Sequence, residues 1–310
     1  MSNRNRRHTA LVKGPGDFLD DAILRITGEP PRLGGRKRER LRVMNRWGSD
    51  CRHHLPLIIR SLQTEASEKK WPVRSRHAAK TIVLNCIRQH ESLKSRVTIH
   101  PPASHDWTAG IDHWPDFLNN TLPDCTLSAV VRLIQLWRWN TDHSRKYPTD
   151  EEIRAEFAGQ FFDNFGASPP RVMRQWKEIG LFGHKIEDYY VINHRDRDSV
   201  KLAAWAAGGL YVELHANHEM ITKAKKHKTW GPGDAGGVAA HACVLGGYTG
   251  DSVVYIPWGD PYGRELATWD FATVDTINAY AVLSKHYWIR GKKSPAGLTF
   301  QETKKLIQYL

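Results

Sequence analysis

The stretch from Asn119 to Val131, Asn-Asn-Thr-Leu-Pro-Asp-Cys-Thr-Leu-Ser-Ala-Val-Val, constrains this chain more than any other. A polar loop closed by Pro123 and Asp124 runs straight into an apolar helix, predicted over Leu127–Trp137, with Cys125 at the junction. The first turn of a helix carries unpaired backbone N–H groups and the positive end of the dipole, so a cysteine placed there is favoured as a thiolate. The alternative is a small buried hydrophobe, the commonest fate of a free cysteine.

A chain of 310 residues makes one large domain or two of ordinary size. Its 40% hydrophobic content and 12 tryptophans suffice for a core and argue against disorder. Four cysteines without regular spacing are too few for a disulfide scaffold, which points to a reducing compartment. No apolar stretch follows the basic residues near Met1, so no secretion signal is expected. The longest apolar run, Leu202 to Val212, holds Gly208-Gly209 and is too short to span a bilayer, so no membrane partner is expected.

Charge is unevenly placed. Residues 1–100 hold 22 Lys and Arg against 9 Asp and Glu, a net of +13, while the remaining residues hold 23 against 24. A basic region joined to a neutral body reads as a polyanion-binding or assembly segment attached to a working domain, with solvated helix faces as the alternative. Arg36, Lys37, Arg38, Arg40 and Arg42 form the densest basic cluster and are the candidates for nucleic-acid contact. No named nucleic-acid motif accompanies them. Cys51, His53 and His54, with Cys86 and His90, offer metal-ligand chemistry, but their spacing is not that of a structural zinc site, and neither a metal nor a cofactor is expected.

Three regions follow: a basic, mainly helical segment over 1–100, a main domain over 101–290, and a helical tail over 291–310. In the first, helical spacing is read over His54–Glu65 and Ser75–Ser95. In the second, Thr149 and Glu152 form a capping box opening a helix, and Pro169–Ile179 gives another, stopped by Gly180. Ile186–Ile192 and Leu210–Leu214 read as strands, with a helix over Asp198–Ala207 between them. Residues 216–237 read as a long Gly-rich loop whose lysines, Lys223 to Lys228, are solvated, with selection of an acidic substrate as the alternative. A strand carrying His241 and Cys243 comes next, then a turn at Thr249-Gly250-Asp251 and a second strand, Val253–Ile256.

Cysteine at a helix start, histidine on a later strand, and a polar residue after the next strand resemble the order of papain-type cysteine peptidases. In that chemistry a thiolate at Cys125 attacks a carbonyl, and His241 pairs with it and protonates the leaving group. Asn119, six residues before the cysteine, would supply one oxyanion donor and the Cys125 backbone N–H the other. Residues of roughly 104–288 further resemble a group of papain-fold proteins encoded mainly by tailed phages and prophages. The resemblance is carried by Asp106-Trp107, Trp114-Pro115, Leu118-Asn119, Asp124-Cys125-Thr126 and Gly183-His184-Lys185-Ile186-Glu187. It continues with His241 before a Val-Leu-Gly-Gly-Tyr strand and Trp258-Gly259 before a segment containing Trp269. It implies an α+β, papain-like fold, a helical subdomain with the cysteine helix packed on an antiparallel β-sheet, preceded here by the small basic helical region. It also implies a peptide or protein substrate, and residence in the host cytoplasm or in association with a virion.

The chain departs from that pattern in two places. Ala240 precedes the histidine where glycine is frequent. Ile256 stands where papain-like peptidases carry the asparagine that orients the imidazole. Asp260 is the nearest polar replacement, with Asp251 as a weaker one. The expected activity is a thiol hydrolase, peptidase, amidase or isopeptidase, built on Cys125, His241, Asn119 and Asp260. The alternatives are an acyltransferase with the same cysteine–histidine geometry, or a non-catalytic virion or nucleic-acid-associated protein that retains the fold.

Overall fold

The structure is a computed structural model that describes residues 51, 54–68, 76–94, 99–158, 167–226, 228–236, 239–284, 293–308 and 310, with the single positions 19, 22 and 44. The chain divides into two compact units, residues 1–98 with 308–310, and residues 99–307.

In the first unit, α1 (Leu55–Glu68) packs against α2 (Arg76–Lys94). Ile58, Ile59, Leu62 and Ala66 recur on one face of α1, as Ala79, Val83, Cys86 and Ile87 do on α2, and both faces are buried. Leu19, Met44 and Cys51 join the same core, and the Cys51 thiol donates to the Met44 carbonyl at 3.1 Å. Among the described residues no three His, Cys, Asp or Glu side chains group as a metal would require. Arg36, Lys37, Arg38, Arg40 and Arg42 lie outside the described residues.

The second unit is a mixed helix and antiparallel-sheet domain. Its strands are β1 (His105–Asp106), β2 (Asp188–Ile192), β3 (Leu210–Ala216), β4 (Ala239–Tyr248), β5 (Ser252–Ile256), β6 (Glu265–Thr268) and β7 (Thr276–Leu283). They form one sheet in the order β2-β7-β3-β4-β5-β6, with β1 added on β4. The helices are α3 (Cys125–Asp142), α4 (Asp150–Ala158), α5 (Pro169–Glu178), α6 (Arg197–Ala207), α7 (His218–Ala224), α8 (Trp269–Asp275) and α9 (Phe300–Ile307). Among the described residues no helix is long and apolar enough to cross a membrane.

Helix α3 organises this unit. Every residue from Thr126 to Trp137 is buried, the signature of a helix enclosed on all sides. It packs against β4, β3 and α5. The Trp137 indole stacks on Trp176 and donates to the Ala207 carbonyl at 2.9 Å. Such close approach depends on Gly208, at φ +74°, where a Cβ would stand 3.0 Å from the Trp137 indole. The predicted capping box forms, with Thr149 N–H on Glu152 at 2.8 Å and Glu152 N–H on Thr149 at 3.3 Å.

The long loop expected over 216–237 is not uniformly loop. Asn217 accepts from the N–H groups of Glu219 and Met220 and starts α7. Lys223 is not merely solvated, since its ammonium meets the Asp234 carboxylate at 2.5 Å. Strand β6, at one edge of the sheet, and β1, paired on β4, were not foreseen.

Candidate active site

Cys125 is the first residue of α3, with Asp124 as N-cap. The Asp124 side chain makes no capping bond; it is fully buried and accepts from Ser128 Oγ at 3.0 Å. Burial pushes its pKa up to about 7 against the opposing influence of Ser128 and the Arg132 charge. The Cys125 thiol lies against the Ala242 backbone. Its pKa is raised by burial, which outweighs the backbone amides of Ala242 and Thr126, with the Asp124 and Glu213 charges adding to the rise. The thiolate expected from the helix dipole is therefore not the resting form. Desolvation of the sulfur outweighs the backbone amides that face it.

His241 stands on β4, opposite Leu214 on β3. Its Nε2 lies 2.8 Å from the Pro257 carbonyl oxygen. A carbonyl only accepts, so Nε2 carries the hydrogen and Nδ1 is the basic nitrogen. Trp258 stacks over the ring at 5.3 Å between centroids and 29° between planes. Burial lowers the His241 pKa to about 4, so the ring is neutral at physiological pH. The structure places the Cys125 sulfur at Ala242, the residue after His241, with no hydrogen bond between thiol and imidazole. Catalytic hydrogen bonds commonly tighten only with substrate bound.

Asp260 is not brought to the imidazole. Its carboxylate accepts from the Trp114 N–H at 2.9 Å and contacts His113 Nδ1 at 2.6 Å, and no hydrogen bond joins it to His241. The ring is held instead by the Pro257 carbonyl, directly before Trp258-Gly259. A backbone carbonyl offers the same neutral acceptor as an asparagine side chain but has no residue signature, so sequence reasoning missed it. Position was the only signal available.

Asn119 lies in the loop before α3, where its N–H donates to the Asp116 carbonyl at 3.1 Å. Its side-chain Nδ2 is buried and has no hydrogen-bond partner. A buried donor without an acceptor costs about 1–3 kcal/mol, and an oxyanion formed beside it would satisfy it. The Cys125 N–H, in the first turn of α3, has no intrahelical acceptor either. The loop is closed from the other side by Gly259, where a Cβ would fall 2.2 Å from the Asp116 Cα.

No protein-family profile and no curated protein matches the chain. Among solved structures it is similar to the Carica candamarcensis cysteine protease CMS1MS2 in complex with E-64, at 11% identity and a TM-score of 0.44, over 59% of this chain and 99% of that one. It is also similar to digestive procathepsin L 3 of the Tenebrio molitor larval midgut, at 12% identity and a TM-score of 0.44, over 86% of this chain and 99% of that one. Neither similarity carries a residue's role across to this chain.

Proposed function

We propose that residues 99–307 form a papain-like cysteine hydrolase that cleaves a peptide or amide bond, isopeptide bonds included. The observation that supports it most is the held imidazole. Pro257 and Trp258 fix the His241 ring with Nδ1 as its free base, on the strand whose next residue touches the Cys125 sulfur.

Because both groups rest neutral, the proton leaves sulfur as the bond forms rather than before. Cys125 Sγ attacks the carbonyl carbon while His241 Nδ1 takes the thiol proton. The oxyanion is received by Asn119 Nδ2 and the Cys125 N–H. Nδ1–H then protonates the leaving nitrogen, the C–N bond breaks, and a thioester remains. Water, giving a proton to Nδ1, attacks the thioester and releases the acid and the thiol. The Pro257 carbonyl holds Nε2–H throughout and favours the transient imidazolium. Treating the wild type and Cys125→Ala with a thiol-reactive peptide electrophile tests the reading. Labelling of the wild type alone is expected, and labelling equal in both, or absent from both, would sink it.

The uncoupled, neutral thiol and imidazole favour a second reading, a non-catalytic virion or nucleic-acid-associated protein that keeps the fold. The net +13 of residues 1–100 would then supply the contact to nucleic acid or to the assembly of a phage or prophage. This reading expects salt-sensitive DNA or RNA binding that disappears when residues 1–100 are deleted. Binding absent at low salt, or indifferent to the deletion, removes its nucleic-acid part.

A further inference from the structure

Three polar residues interrupt the apolar run of α3 on one side of the helix: Ser128, Arg132 and Gln135, four and three positions apart. All are buried, Arg132 completely. Each reaches a backbone carbonyl of the same loop. Gln135 Nε2 donates to His113 at 2.9 Å, Arg132 Nη2 to Asp116 at 3.1 Å, and Ser128 Oγ lies 3.2 Å from the Phe117 oxygen. Helix and loop run in opposite directions, so the contacts form a ladder that opposes sliding of one along the other. The Arg132 guanidinium also sits 5.7 Å from the Phe117 ring centroid.

What the ladder holds is an unfavourable backbone. Phe117 and Leu118 adopt φ of +52° and +65°, a region that L-residues with large side chains rarely occupy. Asn119 follows them directly. A buried guanidinium is also a costly way to hold one carbonyl: Arg132 Nε and Nη1 have no hydrogen-bond partner, and only the nearby Asp124 and Asp116 carboxyls oppose its charge. An apolar side chain of similar volume would often be tolerated as well or better for stability alone.

We propose that Arg132 is the positioning residue of the oxyanion loop: through the Asp116 carbonyl and the Phe117 ring it fixes the Phe117–Leu118 turn, and so the direction of the Asn119 amide. This rests on the hydrolase reading above. Arg132 touches neither substrate nor reacting atoms; it acts through Asn119.

Two reactions of Cys125 separate this role from a general structural one. Acylation by p-nitrophenyl acetate passes through a tetrahedral oxyanion before nitrophenolate leaves, whereas alkylation by iodoacetamide displaces iodide with no oxyanion. Both remove the same thiol proton as sulfur attacks, so the ratio of their rates at Cys125, followed by mass spectrometry of its peptide, cancels changes in how readily that proton is lost. Asn119→Ala should lower the ratio by roughly a hundredfold and Arg132→Met by about tenfold. The double variant should match Asn119→Ala alone, and Arg132→Lys should recover part of the loss. Hydrogen exchange at Asn119, Thr121 and Leu122, whose N–H groups bond within the loop, should quicken in Arg132→Met. If that variant does not fold, Ser128→Ala removes a smaller rung and should lower the ratio by about threefold. A normal Asn119→Ala effect beside a silent Arg132→Met, additive losses in the double variant, or unchanged loop exchange overturns the proposal alone. An Asn119→Ala ratio equal to wild type sinks the oxyanion assignment, and the proposal with it.

Discussion

Replacing Asp124 by asparagine should change how the stability of residues 99–307 depends on pH. The carboxyl is fully buried, one oxygen bonds Ser128, and the other has no partner. Its pKa is pushed up to about 7 from 3.8 by burial. The folded chain therefore binds this proton more tightly than the unfolded chain. The stability this gives is complete below the unfolded pKa of 3.8 and is lost as pH rises through the folded value of about 7. A shift of about 3 units at about 1.4 kcal/mol each sets an upper figure of about 4 kcal/mol. Asparagine keeps an acceptor for Ser128 and has nothing to ionise. Wild type and Asp124→Asn should thus lie within about 1 kcal/mol of each other at pH 4, and the variant should be more stable by about 2–4 kcal/mol at pH 8. Glu265, raised to about 7, and His241, lowered to about 4, titrate in both proteins and cancel in the difference. Urea denaturation followed by tryptophan fluorescence measures it, since ten of the 12 tryptophans lie in residues 99–307. A difference that stays flat from pH 4 to 8 would refute the reasoning, for it would mean that Arg132 neutralises the carboxylate outright.

Two further outcomes follow from the site. Alkylation of Cys125 by iodoacetamide should climb with pH through 8 and beyond without levelling, because burial holds the thiol above its ordinary pKa of 9.0. A plateau between pH 5 and 8 would reveal a preformed thiolate–imidazolium pair. Gly259→Ala should cost about 3 kcal/mol or more, because the new methyl meets backbone that cannot turn aside, the Asp116 Cα at 2.2 Å and the Pro115 carbonyl carbon at 2.6 Å. An unchanged urea midpoint would refute that close approach.

The helices were legible where period and caps agree. Thr149 and Glu152 announced α4, and the apolar run after Asp124 announced α3, although its ends lie beyond Leu127 and Trp137. The hidden elements are those whose stability comes from partners. β1 and β6 are two and four residues long, too short to display a period, and exist through pairing with β4 and β5. α7 was obscured by the glycines after it, although Asn217 with Glu219 two residues on was its signal. Of the proposed site, Cys125, His241 and Asn119 were named from their order along the chain. The Pro257 carbonyl was not, because every residue owns one. Arg132 was visible as a charge inside an apolar helix, but its meaning lies in the Asp116 carbonyl, which only the folded loop presents to it.

The carbonyl that holds His241 also sets when the site can exist during synthesis. Cys125 emerges from the ribosome 116 residues ahead of His241, and Pro257 follows 16 residues later. At about 5–20 residues per second, roughly 6 to 23 seconds separate Cys125 from His241 and about 1 to 3 more separate His241 from Pro257. Through the first of these intervals the helix start carries a cysteine without its proposed base. On the hydrolase reading, a chain cut short before β4 would hold the proposed nucleophile without its base, and one cut before Pro257 would hold the base without its anchor.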